Sequence, residues 1–167
     1  MNTSVLRNLS YGVYVISTLD GDRFTGCVAN SAMQITSSPV TVALSMNHDN
    51  YTHSCIEKTG KFAISILSVN TDPSIIGKFG YYSGKDTDKF ENISYEVKEG
   101  IPVLNDSCGY RVFKVINKVD TSTHTIFIGE MIDGDVKKDE IPMTYSYYHK
   151  VIKGSSPKNA PTYIAEE

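Results

Sequence analysis

Short β-rich segments separated by turn signals recur along the whole chain and limit the folds that it can adopt. Apolar residues that alternate with polar or smaller ones are typical of strands with one buried face. The predicted strands cover residues 12–17, 23–30, 40–46, 61–67, 110–119, 124–132 and 145–152. Residues 19–22 should form a hairpin turn, because Asp-Gly tolerates a positive φ. Residues 121–123 are predicted to make a similar turn between two later strands.

Two short helices fit between these strands. One covers about residues 52–59 and ends at Gly60, a normal helix stop. The other has Asp72 as its N-cap and Pro73 at its first position, and runs to about residue 79. Because strands and helices do not alternate as βαβ units, the sequence predicts an all-β antiparallel barrel or sandwich. The predicted domain is 1–153, and the polar, Pro-containing residues 154–167 are predicted to form an extended tail.

Composition excludes several classes of function. The chain has 167 residues and a net charge of -3, which favours one domain and gives no concentrated basic face for nucleic acid. No run of about 20 apolar residues is present for a membrane span, and no signal peptide is expected. The three cysteines are far apart, which argues against a disulfide framework and against CxxC chemistry. We therefore expect a reducing, cytoplasmic setting.

Common catalytic and nucleotide-binding motifs are missing from the sequence. It contains neither GxGxxG nor GxxxxGK[ST], which argues against Rossmann and P-loop sites. The four histidines are scattered and no HExxH occurs, so no metal site is predicted. A GxSxG nucleophile motif is also absent.

One candidate site lies at the strand-to-helix junction NHDNYTH, residues 47–53. Asn50 and Thr52 precede a helix whose first N–H groups are unpaired and partly positive, which is an arrangement that binds phosphate. Either residue could instead simply cap the helix. Small residues surround Asn30 at the end of an earlier strand, where a planar ligand could approach the backbone closely.

Later segments offer weaker candidates. Lys85 and Lys89 lie in the loop FGYYSGKDTDKF, where they could neutralise a ligand phosphate or could simply be solvated. Tyr145, Tyr147 and Tyr148 could provide a stacking surface. Tyrosines are also common in sheet cores and in subunit interfaces, so the cluster could instead have one of those roles.

Three segments together resemble the flavin reductase-like family, the FMN-binding split barrels. They are ANSAMQITSSPVTVALSMNHDNYTHSCI, YYSGKDTDKF and PMTYSYYHKVIKGSSPKNAPTY, and they occur in the family's order. The likeness is strongest to flavoredoxin and to the flavin reductase domain of high-molecular-weight rubredoxins. The resemblance implies a six-stranded Greek-key split β-barrel that forms a homodimer, with one FMN per subunit near the dimer interface.

The resemblance also implies which residues contact the flavin or the nicotinamide. The positions matching the walls around the ring and ribityl chain are Ala29, Asn30, Ser31, Met33, Ser45, Met46 and Asn47. The positions matching the phosphate site are Asn50 and Thr52, with Lys85 and Lys89 as helpers, and the segments of Phe90 and His149 approach the flavin or the nicotinamide. His48 stands where many family members carry a basic residue.

The implied function is that of an NAD(P)H:flavin oxidoreductase. Hydride would pass from the nicotinamide to flavin N5, and electrons would leave to free flavin, rubredoxin or another acceptor. Because a flavin supplies its own chemistry, the absence of a catalytic triad fits this function. An FMN-binding electron carrier without NAD(P)H activity is the alternative. A barrel that has lost its cofactor site is a third hypothesis.

Overall fold

The computed structural model describes residues 2–158 and 160–163. Within these residues the chain forms nine strands, three α-helices and a 3-10 helix at Thr3–Asn8. The strands are β1 (Tyr14–Asp20), β2 (Arg23–Ala29), β3 (Ala32–Ser37), β4 (Val40–Asn47), β5 (Lys61–Ile66), β6 (Tyr95–Lys98), β7 (Ile101–Leu104), β8 (Gly109–Asp120) and β9 (His124–Val136). The helices are α1 (Tyr51–Thr59), α2 (Pro73–Tyr81) and α3 (Tyr145–Lys150).

Seven of the strands form one antiparallel sheet in the order β2-β1-β5-β8-β9-β4-β3, and β6 pairs with β7 in a separate hairpin. The predicted all-β class is confirmed, although the main sheet has one strand more than the expected six. The predicted turn at residues 19–22 is also confirmed, since Gly21 has a φ of 61° between β1 and β2.

Both predicted helices are present with the expected caps. Asp72 Oδ1 accepts a 2.9 Å hydrogen bond from Ser74 N, and Pro73 is the first residue of α2. At the end of α1, Gly60 adopts a left-handed φ of 68° and donates its N–H to Ile56 O. No helix in the described part of the chain is long and apolar enough to cross a bilayer.

The prediction of a strand at residues 145–152 is wrong, because this segment forms α3. Thr144 caps the helix by accepting a hydrogen bond from Tyr147 N at 3.1 Å. Burial of Tyr148 in the core then outweighs the preference of tyrosine for strands. The sequence analysis also missed β3 and the β6–β7 hairpin. β3 was overlooked because half of its residues are polar and nearly all of them are exposed.

The β8–β9 ribbon joins the two halves of the main sheet. Inward residues of β9 alternate with outward ones through Thr125, Phe127 and Gly129, which is the period expected of a strand with one buried face. The pairing register shifts twice along β8, between Val112 and Phe113 and again between Val115 and Asn117. Such bulges bend and twist a strand, and here they lie in the middle of the sheet.

The central core is built around two stacked rings from β5 and β8. The centroids of Phe62 and Phe113 are 5.2 Å apart, and both side chains are fully buried. Gly129 of β9 lies directly against them, so that a Cβ there would be 2.8 Å from Phe113 Cβ and 2.9 Å from Phe62 Cζ. A glycine is therefore required at this point of β9 by packing.

Gly129→Ala should lower the free energy of unfolding by about 2 kcal/mol, because the added methyl group overpacks the two rings. Urea unfolding followed by circular dichroism measures the change. Gly77→Ala in α2 is the matched control, since nothing lies within 4 Å of its added methyl group. That control should be neutral or stabilising by up to about 1 kcal/mol. An unchanged midpoint for Gly129→Ala would contradict the packing analysis.

Candidate functional site

A cavity of about 390 Å³ opens where the ends of β2 and β4 meet the start of α1. The loop after α2, one face of α3 and the C-terminal tail close its remaining sides. β2 and β4 are far apart in the order of the sheet, so the sheet must curl to bring them to one cavity. The volume lies within the range of about 300–1,000 Å³ that is usual for small-molecule sites.

The strand walls are formed largely by small residues and main chain. Gly26 lies so close to β1 that a Cβ would collide with Ile16 O. Directly after β2, Asn30 is only 6% exposed and accepts a hydrogen bond from Ser31 Oγ at 3.0 Å. This lining leaves room for a flat group to lie against the strand.

The first turn of α1 forms the polar end of the cavity. Asn50 is the N-cap, and its Oδ1 accepts a hydrogen bond from Thr52 N at 2.9 Å. Its backbone carbonyl also accepts from His53 N. The capping interpretation of Asn50 is therefore confirmed. Because capping uses the oxygen of the amide, the NH₂ group of the same side chain remains to donate.

Side chains tie this first turn to the loop after α2. Tyr51 donates its hydroxyl to Asp20 Oδ2 at 2.8 Å, and Arg23 Nη2 donates to the same carboxylate at 2.8 Å. Arg23 Nη2 also donates to Gly84 O at 2.8 Å. The Arg23 hydrogen bond, followed by that of Tyr51, lowers the pKa of Asp20. The two walls of the cavity are thus held together by an ionised carboxylate.

Seven of the predicted site residues line this cavity. They are Ala29, Asn30, Ser45, Met46, Asn47, Asn50 and Thr52. They come from β2, β4 and the start of α1, three segments that are separate in sequence but adjacent in space.

The two lysines predicted to help with a phosphate lie outside the lining. Lys85 is exposed in the loop after α2. The assignment of Lys89 needs correction, because its ammonium group is fully buried and donates to the carbonyls of Lys78, Phe79 and Tyr82. All three N–H groups of Lys89 are used in this way, so none is left for a phosphate.

Four other predicted residues also lie outside the lining of the cavity. The Ser31 hydroxyl donates a hydrogen bond to Asn30 Oδ1, and Met33 is 66% exposed on the edge strand β3. Phe90 is buried against the ring of Phe79, with centroids 5.2 Å apart. His149 contacts the tail, at Gly154 O and Ser156 Oγ.

The tail forms a wall of the cavity that the sequence analysis missed. Ser155 and Ser156 line the cavity, and His149 holds this segment through Nδ1, 2.8 Å from Gly154 O. Farther along, Thr162 Oγ1 accepts a 2.7 Å hydrogen bond from Asn30 Nδ2. Polar, Pro-containing composition alone gave no signal that this segment returns to the barrel.

Tyr81 and Tyr148 meet on the same side of the cavity, with hydroxyl oxygens 3.0 Å apart. Burial raises the pKa of Tyr148, so its hydroxyl stays protonated at neutral pH. Tyr145 joins them in the lining, whereas Tyr147 does not. The stacking-surface interpretation of the tyrosine cluster therefore fits two of its three members.

The cavity contains little formal charge. Asp49 is the only Asp, Glu, Lys or Arg among its described lining residues. Burial raises the pKa of the Cys27 thiol, which also lines the cavity and stays neutral. Any anion held here would depend on main-chain N–H groups and on neutral amide and hydroxyl donors.

Comparison with known proteins assigns this geometry to a family. A model of the flavin reductase like domain matches residues 6–155. The chain belongs to the flavin reductase-like family. It is 46% identical over 165 residues to a high molecular weight rubredoxin of Moorella thermoacetica, which covers 98% of this chain and 72% of that protein. It is 34% identical over 166 residues to a ferric-chelate reductase (NAD(P)H) of Archaeoglobus fulgidus, with 98% of each chain covered.

Solved structures of the family have the same fold. The NADH:FAD oxidoreductase SgcE6 of Streptomyces globisporus has a TM-score of 0.77 at 22% identity, covering 84% of this chain and 83% of that one. The flavin reductase PheA2 has a TM-score of 0.73 at 27% identity, covering 86% and 93% respectively. The main sheet is therefore the split barrel of flavin reductases.

The cavity residues fit a flavin. Gly84 packs so closely on β2 that a Cβ would collide with Thr25 Oγ1, so the loop can lie flat against the strand wall. The α1 turn offers N–H donors at one end, while Val28, Ile76 and Phe79 offer apolar surface elsewhere. This division into a polar end and an apolar body matches a phosphate and a ring system.

His53 anchors the first turn of α1 to β9. Its Nε2 lies 2.7 Å from Thr125 Oγ1, and the same hydroxyl donates to Asp120 Oδ1 at 2.7 Å. Because the threonine proton is used by Asp120, Nε2 must carry the proton of a neutral imidazole. Burial lowers the pKa of His53, against the opposing charges of Glu57 and Asp120.

Stability should therefore fall as the pH decreases below the ordinary histidine pKa of about 6.5, because the unfolded state then binds more protons than the folded state. His53→Gln keeps an N–H donor but cannot titrate, so its unfolding free energy should vary less between pH about 7 and about 5.5. Chemical unfolding at several pH values measures both slopes. Equal slopes for the two proteins would contradict the assignment.

Proposed function

We propose that this chain is an FMN-dependent NAD(P)H oxidoreductase of the flavin reductase or flavoredoxin type. The observation that carries the proposal is the cavity, which joins a helix N-terminus to a strand wall of small residues. The relatives support the activity, since one is named as a ferric-chelate reductase (NAD(P)H) and another as an NADH:FAD oxidoreductase. Bound FMN would supply the redox chemistry, accepting hydride from NAD(P)H and passing electrons to free flavin, rubredoxin or another acceptor.

The phosphate of FMN would lie at the first turn of α1. Asn50 would donate through its amide NH₂ group and Tyr51 through its backbone N–H, which precedes the helical hydrogen-bonding pattern. Ser83, across the cavity, would add a hydroxyl donor. Thr52 lines the same end of the cavity but is only 1% exposed, and its N–H is used by Asn50 Oδ1. The partial positive charge of the helix terminus would compensate for the missing lysine or arginine.

The ring would lie along the ends of β2 and β4. Ala29 and Ser45 have short side chains that leave room for the ring, and Met46 supplies apolar contact. Asn30 and Asn47 provide amide groups that can hydrogen-bond a heterocycle. The tail at Ser155 and Ser156 would limit access of water on the far side.

We also infer that the protein works as a homodimer in the cytoplasm. β3 is an edge strand with exposed apolar side chains, Met33 at 66% and Ile35 at 45%. A second copy that covered this edge would shield its unpaired N–H and C=O groups, which proteins rarely leave exposed on a long edge strand. Cys27, Cys55 and Cys108 are free thiols, which suits a reducing compartment.

The purified protein should bind FMN, and the flavin absorption bands should bleach under anaerobic conditions when NADH or NADPH is added. An absorption spectrum before and after each nucleotide measures both the activity and the preferred donor. Bands that persist with both nucleotides would contradict the reductase activity and favour the electron-carrier alternative. A protein that binds no FMN would contradict both.

Asn50→Asp tests the phosphate position. The variant keeps a capping oxygen but puts a carboxylate beside the phosphate, so the Kd for FMN should rise about tenfold or more. Titration of the apoprotein with FMN measures this Kd. Asp72→Asn makes the reverse exchange at the N-cap of α2, away from the cavity lining, and should leave the Kd unchanged. An unaltered Kd for Asn50→Asp would place the phosphate elsewhere.

A further inference from the structure

Lys89 is a charged side chain that the proposed reaction does not use, yet it is 0% exposed. Its ammonium group donates to Lys78 O at 2.7 Å, to Phe79 O at 3.3 Å and to Tyr82 O. It also lies 5.7 Å from the centroid of the Phe79 ring. An ammonium group has three N–H donors, and here each has a carbonyl.

The three carbonyls belong to the end of α2 and to the residue that follows it. The last carbonyl groups of a helix have no N–H partner within the helix, and they carry partial negative charge. Lys89, which follows α2 in the chain, supplies both the N–H donors and the positive charge. It therefore fixes the direction in which the main chain leaves α2.

The segment leaving α2 is one wall of the cavity. We define the cavity loop as residues 82–84, all of which line the cavity together with Phe79. At its far end, Gly84 O is held by Arg23. Lys89 holds the near end, at Tyr82 O. The loop is thus fixed at both ends, from two directions.

Packing alone does not require a charge at this position. A buried ammonium group loses its hydration, and an apolar side chain of similar volume is often at least as stabilising in such a place. What an apolar side chain cannot do is bring three carbonyl oxygens to one point. The geometry therefore favours a positioning role over simple filling of the core.

We propose that Lys89 is a positioning residue, whose ammonium group holds the cavity loop in the shape that binds flavin. This inference rests on the proposed function, because it names flavin as the ligand of the cavity. Lys89 does not touch the ligand in this arrangement. It acts through the carbonyls that set the path of residues 82–84.

The same contacts predict a dependence on pH. Burial lowers the pKa of Lys89 to about 8, with Cys27 on β2 opposing the shift and Lys78 on α2 adding to it. A neutral amine has two N–H donors and no charge, so it cannot satisfy three carbonyls. The loop should therefore be held below this pKa and loosen above it.

The test compares Lys89→Met with Lys78→Met. Lys78 is a partly exposed lysine of α2 whose ammonium donates to Glu91 O, away from the cavity. In the apoprotein, amide hydrogen exchange of residues 82–84 should be about tenfold faster in Lys89→Met and unchanged in Lys78→Met. The Kd for FMN should rise about tenfold or more in Lys89→Met and stay within about twofold in the control.

The wild-type protein gives a second test that needs no variant. Its Kd for FMN should rise about fivefold or more between pH about 7 and about 9, whereas that of Lys89→Met should stay nearly flat. Should Lys89→Met fail to fold, the wild-type pH dependence decides alone. A flat wild-type profile would overturn the proposal, and so would unchanged loop exchange in a folded Lys89→Met.

The two proposals fail in different ways. If wild-type protein binds no FMN, the proposed function fails, and the role of Lys89 toward flavin fails with it. If wild-type protein binds FMN and folded Lys89→Met binds it equally well, only the positioning role is overturned. Faster loop exchange without loss of FMN affinity would also overturn it, because Lys89 would then hold the loop without any effect on flavin binding.

Discussion

The curvature of one seven-stranded sheet is the constraint on which the rest of the structure depends. β2 and β4 occupy the first and sixth places in the order of the sheet, yet both line the same cavity. A flat sheet would keep them more than 20 Å apart, at about 4.8 Å per strand. The two register shifts in β8 lie between them and bend the ribbon that connects the halves. Gly129 allows the stacked rings of β5 and β8 to fill the inside of this bend.

Local patterns predicted those elements whose residues all favour one outcome. The helices α1 and α2 have consistent caps and stops, such as Asp72, Pro73 and Gly60, and both were predicted closely. α3 was predicted as a strand because its tyrosines favour strands, whereas a threonine cap and burial of Tyr148 decide in favour of a helix. The β6–β7 hairpin is too short and too polar on β6 to stand out in a sequence.

The residues of the candidate site likewise fall into those that could be predicted from the sequence and those that could not. Residues that line the cavity because of their place on a strand or at a helix start were predicted from the resemblance to the family, as with Ala29, Asn47 and Asn50. Side chains on loops were not, because the direction of a long side chain depends on tertiary contacts. Lys89 could have pointed to solvent or to a ligand, and it points to three carbonyls. The tail contact of Asn30 could not be predicted at all, since it joins residues 132 positions apart.

That distant contact has a consequence for the order in which the protein is made. Chains emerge from the ribosome N-terminus first, and structure forms as they do. β2 and β4 are brought together only when β9, which ends at Val136, has joined the sheet, and Thr162 follows later in the chain, so the newly formed cavity at first has one open side. Assembly of the strand walls and closure by the tail are therefore separable steps, and a ligand that arrives between them meets an open cavity.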